Sequence, residues 1–442
     1  MSEYLALLMF PALMLLIFSG IQIAFSMIIV AAIFGFIQFG DVAAYQLLTK
    51  IEDTASNSIL AAVPLFIFMG AMLQRSGIAE RLFEAIHMWT EKLPGGLAVG
   101  AILMGAVFAA SSGVVGATEA VIGMLAIPVM LKHGYNKGLI SGTICASGSL
   151  GTAIPPSITV VVLGPVAGVS VGSLFSGLLL PGLLMALLFL IYVVAIAYIK
   201  PEMAPRIKTE SHQYTTAEKI RITLVALVPT VLLIFIVLGT ILMGLATPTE
   251  AAACGALGSI VLSILYRNFS WSVLWESSIK TANISAMILL IILGGSMFAG
   301  VFFASGGMAT VQSLLMNTGL TPWMIVGLIL LIAFIAGFVL DLISVVLIII
   351  PVAMPIVRML GIDEVWFCVA FLVVLQTSYL TPPLAPAIFY LRAITPPEIT
   401  LKHMYWGVIP FIMMQLTVLA LVIAFPQIAL WLPDVMGGPS WR

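Results

Sequence analysis

The 442-residue chain is 62% hydrophobic and only 8% charged, with a mean hydropathy of +1.23 and a net charge of −1. An average soluble domain carries about 25% charged residues, so this composition excludes a water-soluble surface. The near-neutral charge also leaves no basic stripe for nucleic acid. Apolar runs long enough to cross a hydrocarbon core of about 30 Å recur along the chain, and they predict an all-α polytopic membrane protein.

The predicted elements follow one plan twice. Residues 1–200 form a first repeat, 201–221 a polar connector and 222–442 a second repeat. An interrupted pair of apolar segments falls at 96–131 in the first repeat and at 322–357 in the second. Five spans are predicted around each pair, at 4–19, 22–39, 58–74, 137–165 and 173–199, and at 222–243, 250–266, 283–304, 365–391 and 404–432.

Short local likenesses support a duplication. Pro155-Pro156 parallels Pro382-Pro383 at an offset of 227 residues, and Ile127-Pro128 parallels Ile350-Pro351 at 223. If each interrupted pair is a re-entrant helical hairpin, each half crosses the membrane five times. Because five is odd, the sequence predicts two inverted repeats.

The charge distribution tests this topology. Following the chain through the crossings puts 14 of the 17 Lys and Arg residues on one face and leaves Lys50, Arg358 and Arg442 on the other. The positive-inside rule names the first face cytoplasmic. We therefore expect a bacterial inner-membrane protein with both termini in the periplasm.

This topology predicts that Thr209→Cys, in the connector, is shielded from a membrane-impermeant thiol reagent added to intact spheroplasts, because the connector lies in the cytoplasm. The reagent should react after the membrane is permeabilised, which is the control. Efficient labelling before permeabilisation would refute the topology.

Broken helices are the places where chemistry is expected, because a break exposes carbonyls and half-helix ends near the bilayer midplane, as in secondary transporters. The first hairpin turns at Ser111 and Ser112, and proline and glycine interrupt the following span at 147–157. The second half repeats this with Gly337 and a break at 376–386. Hydroxyls and carbonyls suit Na⁺, although a polar surface loop and a simple proline kink remain alternatives.

Asp341 is the acidic residue most deeply set in an apolar run. An intramembrane carboxylate is functional by default, so Asp341 is expected to support an ion. The alternative is a cap on the backbone amides of the second hairpin. Glu119 and Glu250 are weaker candidates, because Glu250 fits a capping box with Thr247 and Glu119 fits the start of a returning helix.

The whole chain resembles the large membrane subunit of a tripartite ATP-independent periplasmic (TRAP) transporter, the DctM-like family. The most specific matches are the glycine- and serine-rich segment at 146–157, residues 134–137 and 246–252, and Thr381-Pro382-Pro383. The resemblance implies an elevator-type transporter, in which a transport domain slides against a scaffold while Na⁺ and a small organic acid move together. It also implies a small membrane subunit and a periplasmic binding protein as partners, beside the membrane lipid.

The same resemblance implies where sodium binds. In the first half the sites map onto Ser112, with Ser111 beside it, and onto the backbone around Gly151, Ile154 and Pro156. In the second half they map onto Gly337, Ser378, Thr381 and Leu384, with Asp341 as the added carboxylate candidate. The chain departs from the family where Asp341-Leu342 lacks a proline often found after the aspartate.

Two other function classes are open to such a chain. An intramembrane hydrolase would need a base beside Ser111 or Ser112, yet all four histidines fall in interfacial or connector segments, and no HExxH motif exists. A passive channel would not need matched broken helices in both halves. ATP-driven transport is disfavoured because the chain has no phosphate-binding GxxxxGK[ST] loop, so neither an enzyme nor a cofactor other than Na⁺ is expected.

Overall fold

A computed structural model describes residues 5–113, 115–206, 215–316 and 319–436, and within them the chain is helical without a β-strand. Two short 3₁₀ helices lie at Ala6–Leu8 and Ser58–Ala61. The α-helices of these residues, numbered α1 to α20, are Met9–Phe18, Ile23–Phe39, Val42–Ala55, Ala62–Arg75, Ile78–Thr90, Gly96–Ser112, Val115–Lys132, Lys137–Ala153, Ile158–Ala167, Val171–Ile199, Thr216–Leu242, Pro248–Leu265, Trp271–Ala304, Gly307–Met316, Pro322–Ala336, Leu342–Met359, Glu364–Leu380, Pro386–Ile394, Leu401–Ala424 and Gln427–Met436.

Many of these helices are long and apolar enough to cross a membrane. In the described ranges seven qualify: Ser58–Arg75, Val171–Ile199, Thr216–Leu242, Pro248–Leu265, Trp271–Ala304, Leu342–Met359 and Leu401–Ala424. The pair Lys137–Ala153 and Ile158–Ala167 is an eighth candidate, bent by 40° at its break. The predicted polytopic helical fold is confirmed, while the count of five crossings per half stays a prediction.

The order of helices recurs along the chain. α8 begins at Lys137 and ends at Ala153, and α17 begins at Glu364 and ends at Leu380, both 227 residues later. Both are followed by a break and a short helix, and both are preceded by a pair of helices. α8 and α17 therefore repeat at the offset of 227 residues that the proline pairs indicate, whereas the opposite orientation of the halves stays a prediction.

Two features of the helices were missed from the sequence. α3 (Val42–Ala55) carries Lys50, Glu52 and Asp53 near its C-terminal end, so a search for apolar runs passes over it. Its counterpart in the second half is the first part of α13, a single 34-residue helix. α11 begins at Thr216, six residues before the predicted span, where Thr215 and Glu218 form a capping box. Residues 207–214 of the connector, with Thr209, lie outside the described ranges.

The two broken helices form the centre of the packing. All residues of α8 from Leu139 to Ala153 are buried, and so are all residues of α17 from Trp366 to Leu380. Most residues of both helices are apolar or small, as expected of a helix without a solvent face. α8 crosses α19 where Gly142 meets Gly407, and a Cβ on either glycine would overlap the other helix's backbone. Such small residues let membrane helices approach closely.

Helix α5, at Ile78–Thr90, packs between α6 of the first hairpin and α11 of the second half. Lys219 Nζ of α11 donates to Met88 O at 3.0 Å, and Trp89 Nε1 donates to Thr223 Oγ1 at 2.8 Å. Arg75 forms an ion pair with Glu276 of α13. These contacts tie α4 and α5, which precede the first hairpin, to helices of the second half.

Candidate functional site

The first break lies between α8 and α9, at Pro155 and Pro156, whose peptide bond is cis. Ile154 leaves the helix in an extended conformation, with φ −101° and ψ 117°. The tip of the first hairpin touches this break, because a Cβ on Gly113 would lie 3.3 Å from Pro156 O and 3.2 Å from Ile158 N. Gly113 also has a φ of +60°, which favours glycine. The hairpin tip is thus held against freed backbone.

Oxygen atoms collect around the first break. Ser157 Oγ is buried and has no hydrogen-bond partner among the described residues. Thr152 Oγ1 donates to Ser149 O at 3.2 Å, so its own lone pairs remain available. Gly151 and Ile154 are buried in the last turn before the break. The side chains of Ser111 and Ser112 lie outside the described part of the chain, so their predicted place at the tip is untested.

The second break repeats these features between α17 and α18. The Pro382–Pro383 peptide is also cis, and Thr381 is extended, with φ −85° and ψ 127°. The second hairpin approaches α17 so closely that a Cβ on Gly337 would overlap Ser378 Oγ. Gly337 and Ser378 are therefore brought together, and Thr381 follows one turn later.

The two hydroxyls at the second break, on Ser378 and Thr381, each donate their proton to a backbone carbonyl of the same helix. Ser378 Oγ donates to Leu375 O at 2.7 Å, and Thr381 Oγ1 donates to Thr377 O at 2.6 Å. Each hydroxyl oxygen keeps two lone pairs for another partner. A hydroxyl held in this way can accept from a donor or coordinate a cation.

Asp341 caps the second hairpin's returning helix. Its Oδ2 accepts from Ile343 N at 3.1 Å and from Ser344 N at 3.3 Å, and its Oδ1 accepts from Ser344 Oγ. The Asp341 side chain is exposed, whereas that of Glu119 is fully buried, and the ion-supporting role of Asp341 stays a prediction. Leu384 is also exposed, and because its side chain is hydrocarbon only its backbone carbonyl is a candidate ligand.

The chemistry of this donor set is that of hydroxyls and carbonyls. Within the described ranges, no group of three or more His, Cys, Asp or Glu side chains lies close enough together to hold a metal ion. A cation at either break would be bound by neutral oxygens, which suits a hard monovalent ion.

Comparison with known proteins identifies the family. The sequence model of the family described as "Tripartite ATP-independent periplasmic transporter, DctM component" matches residues 10–428. The chain belongs to this TRAP transporter family. It is 32% identical, over 89% of its length and 90% of the relative's, to the "C4-dicarboxylate TRAP transporter large permease protein DctM" of Pseudomonas aeruginosa.

Other relatives carry different substrate names. The chain is 28% identical, over 96% of its length and 97% of the relative's, to the "Sialic acid TRAP transporter large permease protein SiaM" of Vibrio cholerae. It is 32% identical, over 92% of its length and 94% of the relative's, to the "Ectoine/5-hydroxyectoine TRAP transporter large permease protein UehC" of Ruegeria pomeroyi. The crystal structure of the Alcanivorax borkumensis YdaH transporter shares the fold, with a TM-score of 0.66 and 14% identity over 96% of this chain and 99% of that one.

This TRAP large permease is accordingly a multi-pass protein of the bacterial inner membrane. Membership in the family implies that it works with a small membrane subunit and a periplasmic binding protein.

A polar network that sequence reasoning missed joins the two halves of this TRAP permease. Gln376 Nε2 donates to Ser149 O at 2.7 Å, and Gln415 Nε2 of α19 donates to Ser149 Oγ at 3.2 Å. All three side chains are fully or almost fully buried. Ser149 and Gln376 are themselves 227 residues apart, so the repeat offset is a signal that pairs them. The network connects one broken helix to the other.

Glu119 is the second feature that was underestimated from the sequence. It lies in the first two turns of α7, as expected, yet its side chain is 0% exposed. It packs on Gly148 of α8, where a Cβ would overlap its Cγ. Glu250, in contrast, forms the predicted capping box with Thr247.

Proposed function

We propose that this TRAP large permease is a sodium-coupled secondary transporter subunit. It imports a small organic acid, delivered by the periplasmic binding protein, through an elevator movement. The hairpins α6–α7 and α15–α16 and the broken helices α8–α9 and α17–α18 would form the moving transport domain. The outer helices, with the small membrane subunit, would form the scaffold.

One observation carries this proposal. In both halves a hairpin tip meets the break of a following helix through a glycine, Gly113 at Pro156 and Gly337 at Ser378. Freed carbonyls and hydroxyls therefore face the tip of a hairpin twice in one chain. Discontinuous helices of this kind bind the coupling ions of secondary transporters.

The proposed sodium ligands follow from this geometry and from the family. In the first half they are Ser111 or Ser112 at the tip and the backbone carbonyls around Gly151, Ile154 and Pro156. The unpartnered, buried Ser157 Oγ supports a polar occupant at this break. In the second half they are Gly337, Ser378, Thr381 and the Leu384 carbonyl, with Asp341 adding negative charge at the tip.

The names of two relatives support an organic acid as the substrate class, since one names C4-dicarboxylate and the other sialic acid. The test begins with the binding protein encoded beside this chain, whose ligand is found by thermal shift. The labelled ligand is then offered to proteoliposomes containing both membrane subunits, with the binding protein outside. Uptake should need a sodium gradient directed inward. Equal uptake without the gradient would favour a passive channel instead.

Thr381→Val is expected to weaken sodium affinity about 5- to 150-fold, because it removes one neutral ligand worth on the order of 1–3 kcal/mol and keeps the side-chain shape. The measurement is initial uptake against sodium concentration. Thr377→Val is the matched control, since the Thr377 hydroxyl donates to Val373 O at 2.8 Å on the same helix and is not a proposed ligand. A sodium curve of Thr381→Val that overlays the control would remove Thr381 from the site.

A further inference from the structure

The Glu119 side chain occupies a sealed position between the two broken helices. It extends from α7 onto the bare backbone of α8 at Gly148, and it faces Tyr379 of α17. Both Glu119 and Gly148 are fully buried. A single carboxyl therefore contacts elements of both halves of the protein.

This carboxyl is poorly satisfied by hydrogen bonds. Tyr379 Oη donates to Glu119 Oε2 at 3.4 Å, longer than the 2.7–2.8 Å typical of a hydroxyl donor. Glu119 Oε1 has no hydrogen-bond partner among the described residues. An ionised carboxylate without donors in an apolar interior is costly, so this arrangement disfavours a bare negative charge.

Among the described residues, the titratable groups that interact with the Glu119 carboxyl include no positive charge, and Arg392 of α18, which packs on α7, donates to Ile399 O at 2.8 Å. Tyr379 of α17, Tyr390 of α18 and Cys145 of α8 interact electrostatically with its carboxyl. Helix α6, which packs on α7, carries no titratable side chain. On the arm α5, His87 interacts with Glu91 and His133 rather than with Glu119.

A metal cation fits the position less well than a proton. Na⁺ requires several oxygen ligands around it, whereas the hydrogen-bond partner that the described residues give this carboxyl is the single Tyr379 hydroxyl. Helix α8 presents Gly148 at the contact, which supplies no side-chain oxygen. A single proton on the carboxyl removes the charge without any further ligand.

We propose that Glu119 is a proton-binding site in the core of the transport domain, at the junction of the two broken helices. The protonated carboxyl allows α7 to pack on Gly148 and Tyr379. Release of the proton leaves a charge between the halves and favours separation of the first hairpin from α8. This site is distinct from the sodium sites proposed at the two breaks.

The test is infrared difference spectroscopy of the purified full-length protein in lipid, comparing the spectrum of the wild type with those of the variants. The measurement needs no transport substrate. At about pH 7 exposed glutamates are ionised, because their ordinary pKa is about 4.3. The wild-type protein should nevertheless show the carbonyl stretch of a protonated carboxylic acid. Glu119→Gln should lose this band, and Tyr379→Phe should shift it because the tyrosine donor is gone.

The matched control is Glu250→Gln, which alters an exposed capping acid, preserves the capping-box pattern and should leave the band unchanged. The absence of the band from the wild type, or its persistence in Glu119→Gln, would overturn the proposal. If Glu119→Gln does not fold, Tyr379→Phe decides: a shifted band supports the site, and an unshifted band overturns it. None of these outcomes depends on whether uptake requires sodium.

Discussion

Gly337→Ala is expected to weaken sodium-coupled uptake more than any other single methyl addition at the hairpin tips. The new Cβ would overlap Ser378 Oγ and lie 2.9 Å from Ser378 Cβ, inside a fully buried contact. Overpacking of this kind costs about 1–3 kcal/mol. Because the strain separates the tip from a proposed sodium ligand, the apparent sodium affinity should fall about 5- to 150-fold.

Gly327→Ala provides a matched control for this prediction. Gly327 lies on the same helix, α15, and an added Cβ there would meet nothing within 4 Å. Both variants are compared for monodispersity and for initial uptake against sodium concentration in proteoliposomes. Gly327→Ala should behave as wild type. Equal sodium curves for the two variants would show that the contact of Gly337 with Ser378 has no part in ion binding.

The sequence predicts the breaks well because their causes are local. Two successive prolines remove two backbone amide donors and glycine frees the backbone, so Pro155-Pro156 and Pro382-Pro383 mark the ends of α8 and α17 within two residues, whereas a single proline such as Pro181 lies inside a helix. The capping box at Thr247 and Glu250 is equally local. Structural features that depend on a few neighbouring residues can thus be predicted from the sequence without knowledge of the tertiary packing.

The burial of the acids could not be predicted in this way. Asp341 and Glu119 both stand in apolar runs, yet Asp341 is exposed at a turn while Glu119 is enclosed. The difference arises from residues distant in sequence, since Gly148 supplies the space into which Glu119 fits. Gln376 was visible only as part of a break, because its partners Ser149 and Gln415 are joined to it by tertiary packing alone.

The two buried polar features between the broken helices, the glutamine–serine network and Glu119, differ in whether they can carry a charge. The Ser149–Gln376–Gln415 network consists of neutral groups and links the two broken helices, since a buried amide N–H group is costly to leave unpaired. Glu119 can gain or lose a charge at a nearby position. The network therefore supplies a fixed arrangement of the breaks, and the proposed proton site supplies a means to loosen the first hairpin from it.

Asp341→Asn and Asp341→Ala together should separate the two roles that the sequence leaves open. The asparagine oxygen can still accept from Ile343 N and Ser344 N, so the cap of α16 should survive and the protein should fold normally. If the charge supports the ion at the tip, sodium affinity should nonetheless fall on the order of tenfold, or about 1.4 kcal/mol. Alanine also removes the cap, which lowers the free energy of unfolding by about a further 0.5–2 kcal/mol.

The control for this pair is Asp363→Asn, because Asp363 caps the neighbouring helix α17 through Trp366 N at 2.9 Å, away from the hairpin tip. It removes the same charge from the same kind of position, so a general electrostatic effect would appear there too. Uptake against sodium concentration and thermal stability are measured for all three variants. We expect weakened sodium dependence in both Asp341 variants, reduced stability in Asp341→Ala alone, and neither change in Asp363→Asn. A normal sodium curve for Asp341→Asn, together with a destabilised Asp341→Ala, would restrict Asp341 to capping the hairpin, since the charge would then contribute nothing that the amide oxygen does not.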